Sequence, residues 1–509
     1  MIMTRACTLA AILPMLAGTP AMAQDSKACA ALAGVAAFDT IVSRAEPVPA
    51  ANGQPAHCLV QGVIEPRIGA QGRAFGTGFE LRMPMDWTGR FLMQGGGGND
   101  GLVRPAVGVI DRSRPADTAL GRGFAVASTD SGHTADSPTD AWYRIDAKAN
   151  EDHAYNSVRL VTERSRDLMQ RFYGKPPDHS YFMGCSNGGR QAMMAAHVMP
   201  DAFDGIVSVA PAFTVTPRIL GWHWAVTSLA AAAPDGIAAH AFSDDELQMI
   251  SDAAVAACDA GDGAEDGLVF RPVECRFDPV ALQCADGESG QCLSGAQVTA
   301  LKNLQSGPLD DNGTAIYEGW PLFNIDGKTG IRAWLIGDSE GPKPNSRAYQ
   351  FVSNWLQTIP DKPRKDMTVE NFTHADRGWL LALKPQADAS GTDYQPFANA
   401  GGKIVWVHGN ADPAFSVRDF VRWLQSFRAD NPDYHDFSRA YLVPGLHHCA
   451  GGAGLISFDV LKPMVDWVES GIAPAEIMAS TGDGTQRPLC DFPAYARPGP
   501  DGAGFVCGN

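Results

Sequence analysis

Short apolar runs take turns with longer stretches whose apolar residues recur three or four positions apart. Phe79–Met83 alternates apolar and polar residues, Arg90–Gln94 holds Phe91, Leu92 and Met93 together, and Gly123–Ser128 is a third such run. Tyr155–Tyr173 changes period, with Val158, Leu160, Val161, Leu168 and Phe172 spaced as on one side of a helix. Ser180–Met183 is again short and apolar. After it Met193, Met194, Ala196 and Met199 return to helical spacing, and Gly205–Val209 follows as a strand. This alternation, from about residue 60 to 213, predicts βαβ units and a mostly parallel sheet.

The rhythm breaks from about 214 to 390. That stretch is rich in Trp, Pro, Gly and Asp and has short helical pieces but no clear strand series. Strands resume at Lys403–Gly409 and Ala440–Gly445. Between them Ser416 and Asp419 resemble a capping box opening a helix with Phe420, Trp423, Leu424 and Phe427 on one face. The expected organisation is one α/β domain in two pieces, 24–213 and 391–509, with 214–390 inserted over the site.

Between the Ser180–Met183 strand and the next helix stands Gly184-Cys185-Ser186-Asn187-Gly188. A strand turning sharply into a helix exposes a serine hydroxyl at the sheet edge, and glycines are needed where strand and helix crowd. A serine needs a base, and the base an orienting acid. In this architecture the chain order is Ser, Asp or Glu, His. Asp412 lies just beyond the Lys403–Gly409 strand, and His447 and His448 follow the Ala440–Gly445 strand. Both candidates therefore sit where open α/β sheets place their chemistry.

Cys185 precedes Ser186 and Cys449 follows His448. A bridge between them would set the two cysteine Cα atoms about 5.5 Å apart and so hold their neighbours Ser186 and His448 near hydrogen-bonding reach. It would also select His448 over His447.

The first residues carry Arg5, an apolar run from Leu9 to Leu16 and Ala21-Met22-Ala23, the plan of a signal peptide over 1–23. Export to the periplasm or beyond is the expectation, without a lipid anchor. Of the 11 cysteines Cys7 leaves with the signal, and the remaining even number favours disulfides. The pairing stays open, although nearest neighbours would leave Cys185 and Cys449 for each other. Hydrophobic residues make up 45% of the 509, charged residues 19%, and the net charge is −17, which argues against nucleic acid and anionic membranes as partners.

Two further features carry candidate chemistry. Gly95–Gly98 follows a strand early in the fold, where a glycine-rich loop supplies one oxyanion amide beside that of the residue after the nucleophile, here Asn187. A flexible loop or phosphate cradle is the alternative. Cys258–Gly267 clusters carboxylates on a glycine-rich turn, which suits Ca²⁺ or is simply a solvated acidic turn.

Gly89-Arg90-Phe91, the run Tyr181–Arg190, Phe203–Val207 and Val443–Cys449 together resemble the tannase and feruloyl esterase family of secreted serine esterases. The cysteines beside Ser186 and His448 are its hallmark. The resemblance implies an α/β-hydrolase fold with a large lid and a monomer acting on a small aromatic ester. It implies Ser186, Asp412 and His448 as triad, with oxyanion amides at Gly98 and Asn187. It implies the pairs Cys29–Cys58, Cys185–Cys449, Cys258–Cys275, Cys284–Cys292 and Cys490–Cys507. For the acidic loop it implies a lid Ca²⁺ held by Asp259, Asp262, Asp266 and the carbonyls of Ala264 and Leu268, and no organic cofactor. Within the family the likeness is to enzymes of terephthalate monoesters, with ferulate or gallate esters as the alternative. That branch holds a substrate carboxylate with a lid arginine, matched here by Arg347. Trp334, Phe351 and Phe415 fall in its aromatic pocket wall, and Asn187 replaces an acidic residue.

Overall fold

A computed structural model describes residues 26–500 and 504–508, except 35, 38, 288, 289, 339–343, 361 and 384. The signal-peptide segment lies outside the described residues.

The apolar runs become the strands of one sheet. They are β1 (Ala36–Ala37), β2 (Thr40–Val48), β3 (His57–Ile68), β4 (Ala74–Pro84), β5 (Arg90–Gln94), β6 (Ala125–Thr129), β7 (His179–Cys185), β8 (Gly205–Val209), β9 (Lys403–Gly409) and β10 (Ser438–Val443). Their spatial order is β1-β2-β3-β4-β6-β5-β7-β8-β9-β10. Strands β1 to β4 pair antiparallel, as do β4 and β6, and the rest of the sheet is parallel.

The parallel strands are apolar through most of their length, with polar residues chiefly at their ends, because both faces are buried. Phe182, Ile206, Ile404 and Trp406 enter one core. Tyr181, Met183, Val207, Val405 and Val407 enter the other. The principal helices are α1 (Ser157–Tyr173), α2 (Asn187–Val198), α3 (Thr216–Ala232), α4 (Asp244–Cys258), α5 (Gly295–Ser306), α6 (Arg347–Gln357), α7 (Val417–Asp430) and α8 (Leu461–Ser470). Gly174, left-handed at φ 78°, ends α1.

Between β8 and β9 the described residues form helices and turns, with only isolated bridges. This segment has its own core around Trp222, Leu229, Leu301, Phe323 and Val352, and Phe415 from beyond β9 joins it. Reciprocal capping boxes open three of its helices, Ser243 with Glu246, Ser294 with Gln297 and Thr373 with Asp376.

The box expected at Ser416 does not form. Ser416 is the N-cap of α7, but its hydroxyl accepts from Arg418 N and donates to Gly319 O, and its amide donates to the Tyr317 hydroxyl. Asp419 instead pairs with Arg422 and accepts from Glu318 N. Contacts to the inserted segment have taken the place of the local ones. No helix among the described residues is long and apolar enough to cross a membrane.

Candidate active site

Ser186 stands between β7 and α2 with φ 65° and ψ −123°. A non-glycine residue held at positive φ costs about 1–3 kcal/mol and persists only where its surroundings fix it. Those surroundings are on both sides. Ser186 N donates to Val209 O at 3.0 Å, and Ser186 O accepts from Arg190 N at 3.0 Å and Ala212 N at 3.1 Å. The glycines allow the crowding: a Cβ on Gly184 would lie 2.6 Å from the backbone of Gly188, and one on Gly188 2.7 Å from Gly96 O.

Asp412 follows β9 and is fully enclosed. Its Oδ1 accepts from the amides of Ala414 (2.8 Å) and Phe415 (3.0 Å), and its Oδ2 lies 2.8 Å from His448 Nδ1. Burial alone would raise this carboxyl, but the charge and hydrogen bond of His448 and the amide of Phe415 hold it below its ordinary value. An ionised carboxylate only accepts, so Nδ1–H of His448 is the donor. His448 Nε2 is buried and has no partner among the described residues. Trp334 and Phe415 meet the imidazole edge-on, at 4.6 and 4.9 Å between centroids.

His447 is occupied elsewhere. Its Nδ1 meets Thr329 Oγ1 at 2.7 Å and its Nε2 meets Asn324 O at 2.6 Å, so both ring nitrogens tie the strand end to the inserted segment. The Cys185–Cys449 disulfide, with Cα atoms 6.0 Å apart, joins the neighbours of Ser186 and His448. The other pairs are Cys29–Cys58, Cys258–Cys275, Cys284–Cys292 and Cys490–Cys507.

Gly98 and Asn187 line a pocket with Ser186. Gly98 has φ 65°, and a Cβ there would sit 2.5 Å from Pro138 O. The Asn187 side chain is held at both ends: Nδ2 donates to Asp100 Oδ1 at 2.6 Å and Oδ1 accepts from Arg190 Nε at 2.6 Å. Asp100 also accepts from Gln191 Nε2 at 2.8 Å and from the Ser131 hydroxyl, and Gln191 Oε1 accepts from Gly96 N at 3.0 Å. This buried network ties the glycine loop to α2, and burial raises the Asp100 carboxyl despite its donors. An acidic residue at 187 would place a second carboxylate against Asp100. The amide donates to Asp100 and accepts from Arg190, which a carboxylate cannot do.

The pocket is narrow, about 40 Å³, and seven of its sixteen lining residues come from the inserted segment. Trp334, Phe351 and Phe415 line it as expected, joined by Trp222, Trp355, Tyr143 and His153. Phe351 stacks parallel to Trp334 with centroids 6.3 Å apart. Arg347 is not in the lining. It is exposed at the start of α6, its guanidinium 5.3 Å from the Trp334 ring centre. Two arginines stand within the wall: Arg190, whose guanidinium is taken up by Asn187 Oδ1 and the carbonyls of His153, Ala154 and Ala387, and Arg218, in the first turn of α3, which the sequence did not mark.

The acidic loop is distant in sequence from these groups. Asp259 Oδ2 accepts from Gly267 N, Asp262 from the amides of Ala264 and Phe270, and Asp266 Oδ1 from Leu268 N. Burial, and then the charges of Asp266 and Asp259, push Asp262 up to about 6. Asp259 Oδ1 is buried without a partner. These carboxylates have the oxygen chemistry a hard cation takes. However, Arg487 already pairs with Asp266 at 2.7 Å, and no group of three or more metal-binding side chains is gathered among the described residues. The donors suit Ca²⁺ in kind but are not drawn together around one point.

Residues 58–504 match the family described as tannase and feruloyl esterase. The chain is 35% identical over 505 residues to mono(2-hydroxyethyl) terephthalate hydrolase of Piscinibacter sakaiensis, covering 87% of this chain and 82% of that protein. It is 28% identical to a probable feruloyl esterase B-2 of Aspergillus flavus, covering 78% of this chain and 76% of that one. Feruloyl esterase B from Aspergillus oryzae superposes with a TM-score of 0.79 at 24% identity, over 95% of this chain and all (100%) of the other. That likeness shows the α/β-hydrolase fold. With a sheet, elbow and family match in agreement, the chain belongs to the tannase and feruloyl esterase family and is a carboxylic ester hydrolase.

Proposed function

We propose that this esterase acts on aromatic carboxylic esters through a Ser186 acyl-enzyme. The observation that carries the reading is the strained Ser186 facing an aromatic pocket, one disulfide away from an imidazole whose Nδ1 is fixed on Asp412. Ser186 Oγ attacks the ester carbonyl as His448 Nε2 takes its proton. The carbonyl oxygen, now negative, lies against the amides of Gly98 and Asn187. The C–O bond to the alcohol then breaks and His448 returns the proton to the departing oxygen. Water, deprotonated by His448, releases the acid and restores Ser186. Asp412 keeps the imidazole in one tautomer and steadies its charged form.

A flat acyl ring suits the walls of Trp334, Phe351 and Phe415. The present cavity of about 40 Å³ is far below the roughly 300 Å³ of a usual ligand pocket, so the inserted segment has to yield to admit a ring. The preferred substrate is a terephthalate monoester such as mono(2-hydroxyethyl) terephthalate, supported by the relative at 35% identity. A panel of that monoester, methyl ferulate, a gallate ester and p-nitrophenyl acetate tests this. Preference for ferulate or gallate would move the enzyme to phenolic esters, and no turnover of any ester would end the reading.

Arg347 stands at the rim and attracts the substrate's free acid group. An exposed ion pair is worth about 0.2–1 kcal/mol. Arg347→Ala is therefore expected to lower kcat/KM for the acid monoester by at most about 5-fold, with a smaller loss on an uncharged ester. Equal losses on both would make Arg347 structural.

We also propose a structural Ca²⁺ on Asp259, Asp262 and Asp266 with the carbonyls of Ala264 and Leu268. Such an ion relieves the mutual repulsion of the carboxylates and pins the end of α4. Chelation is expected to lower the melting temperature by a few degrees, and Ca²⁺ to restore it. An unchanged melting curve for metal-free protein would leave only an acidic turn. Ten paired cysteines suit an oxidising compartment, which supports export.

A further inference from the structure

Arg218 is an arginine without an anion. Its Nη1 donates to Ala212 O at 3.0 Å, and Ala212 N in turn holds Ser186 O at 3.1 Å, so the guanidinium is anchored two links from the nucleophile. Its Nε is buried with no partner, and among the described residues no carboxylate lies at ion-pair distance. Asp388, whose charge reaches it, spends its oxygens on Val215 N and on Ser390.

Around Arg218 the support for a cation is one carbonyl, two rings and the charge of Asp388, none of which is a paired carboxylate. Arg218 occupies the first turn of the 17-residue α3, the positive end of the helix dipole. Burial presses its guanidinium down to about 10, and the charge of Arg190 adds to this against the opposing influence of Tyr317, Tyr143 and Asp388. Trp222 and Phe415 offer their rings at 5.1 and 5.7 Å, which is some compensation, but neither takes a hydrogen bond from Nε. What the position lacks is an acceptor from the pocket that Arg218 lines beside Ser186.

We infer that Arg218 is a specificity-determining residue whose free Nε edge receives an anionic group, a carboxylate, carried on the acyl half of the ester. The fork of a guanidinium matches a carboxylate on two bonds, and enclosure by Trp222, Trp334 and Phe415 keeps water from weakening them. This rests on the aromatic-ester reading and deepens it. The acid group is held inside the pocket by Arg218, while Arg347 only draws it to the mouth.

The test compares wild type, Arg218→Met, Arg218→Lys and Arg347→Ala on mono(2-hydroxyethyl) terephthalate and on its uncharged diester, bis(2-hydroxyethyl) terephthalate. Terephthalate serves as a competitive inhibitor. For Arg218→Met, kcat/KM on the monoester is expected to fall at least 10-fold further than on the diester, chiefly through KM, with the terephthalate Ki rising in parallel. Arg218→Lys keeps the charge but loses the fork, and should fall between, which preserves the test if the methionine variant folds poorly. Equal losses on both esters would overturn the inference and make Arg218 a packing residue. A selective loss for Arg347→Ala but not for the Arg218 variants would overturn it in favour of the rim. If wild type cleaves the diester but not the monoester, the anion site fails while the esterase reading stands. If it cleaves neither, the esterase reading itself fails.

Discussion

Ser186→Ala should lower kcat by roughly 10⁵- to 10⁶-fold while leaving the melting temperature near that of the wild type. The size follows from how such groups act: nucleophile, base and acid work as one unit, so removing the nucleophile forfeits nearly the whole of their joint effect. The stability part follows from the backbone. Ser186 is fixed at φ 65° by its amide on Val209 and its carbonyl under Arg190 and Ala212, and its side chain is not part of that lattice. Alanine inherits the strain and loses only the hydroxyl. Steady-state rates with p-nitrophenyl acetate and a thermal melt would check both halves. A variant retaining a tenth of the activity would mean that another group attacks the ester.

The second large effect concerns the Cys185–Cys449 bridge. It closes a separation of 264 residues, for which the chain-entropy view assigns a stabilisation of about 5 kcal/mol. It also joins the two residues next to Ser186 and His448. Cys449 itself stands at φ 64°, so the backbone turns sharply directly after the histidine, at the bridged residue. Replacing both cysteines by alanine should therefore cost stability and, in the fraction that stays folded, should lower kcat more than KM, since imidazole and hydroxyl lose their fixed spacing. The folded fraction is measured by circular dichroism at low temperature, where the kinetics are also run. Full kcat in the folded double variant would show that the bond serves stability alone.

Much of this was legible from local signals. A short apolar run followed by helical spacing marked β7 and α2, and the glycines between them marked the turn. The exact steric reason, Gly184 against Gly188 and Gly188 against Gly96, belongs to the tertiary structure. Asp412 and His448 were readable because each follows an apolar run at a strand end. The choice of His448 over His447 came from Cys449, and the structure adds why His447 is otherwise engaged: Thr329 and Asn324 take both its nitrogens.

What the sequence hid depends on partners far along the chain. Ser416 and Asp419 have capping-box spacing, yet Tyr317, Gly319, Glu318 and Arg422 claim them. Strand β2 escaped because many of its positions are polar or exposed and its register with β3 slips at Val42/Arg44. Arg218 looked like any helical arginine; its peculiarity is the anion it does not meet, and only the fold reveals that. Asn187 likewise had no account until Asp100 and Arg190 were found on either side of its amide.

The most direct measurement is covalent. The enzyme is treated with a serine-directed fluorophosphonate, digested, and the modified peptide identified by mass. One adduct is expected, on Ser186 in the peptide that contains Gly184-Cys185-Ser186-Asn187-Gly188, forming in step with loss of esterase activity and slowed by a competing aromatic ester. Label on a different residue, with activity surviving in Ser186→Ala, would contradict the assignment of Ser186 as the group that carries the acyl chain.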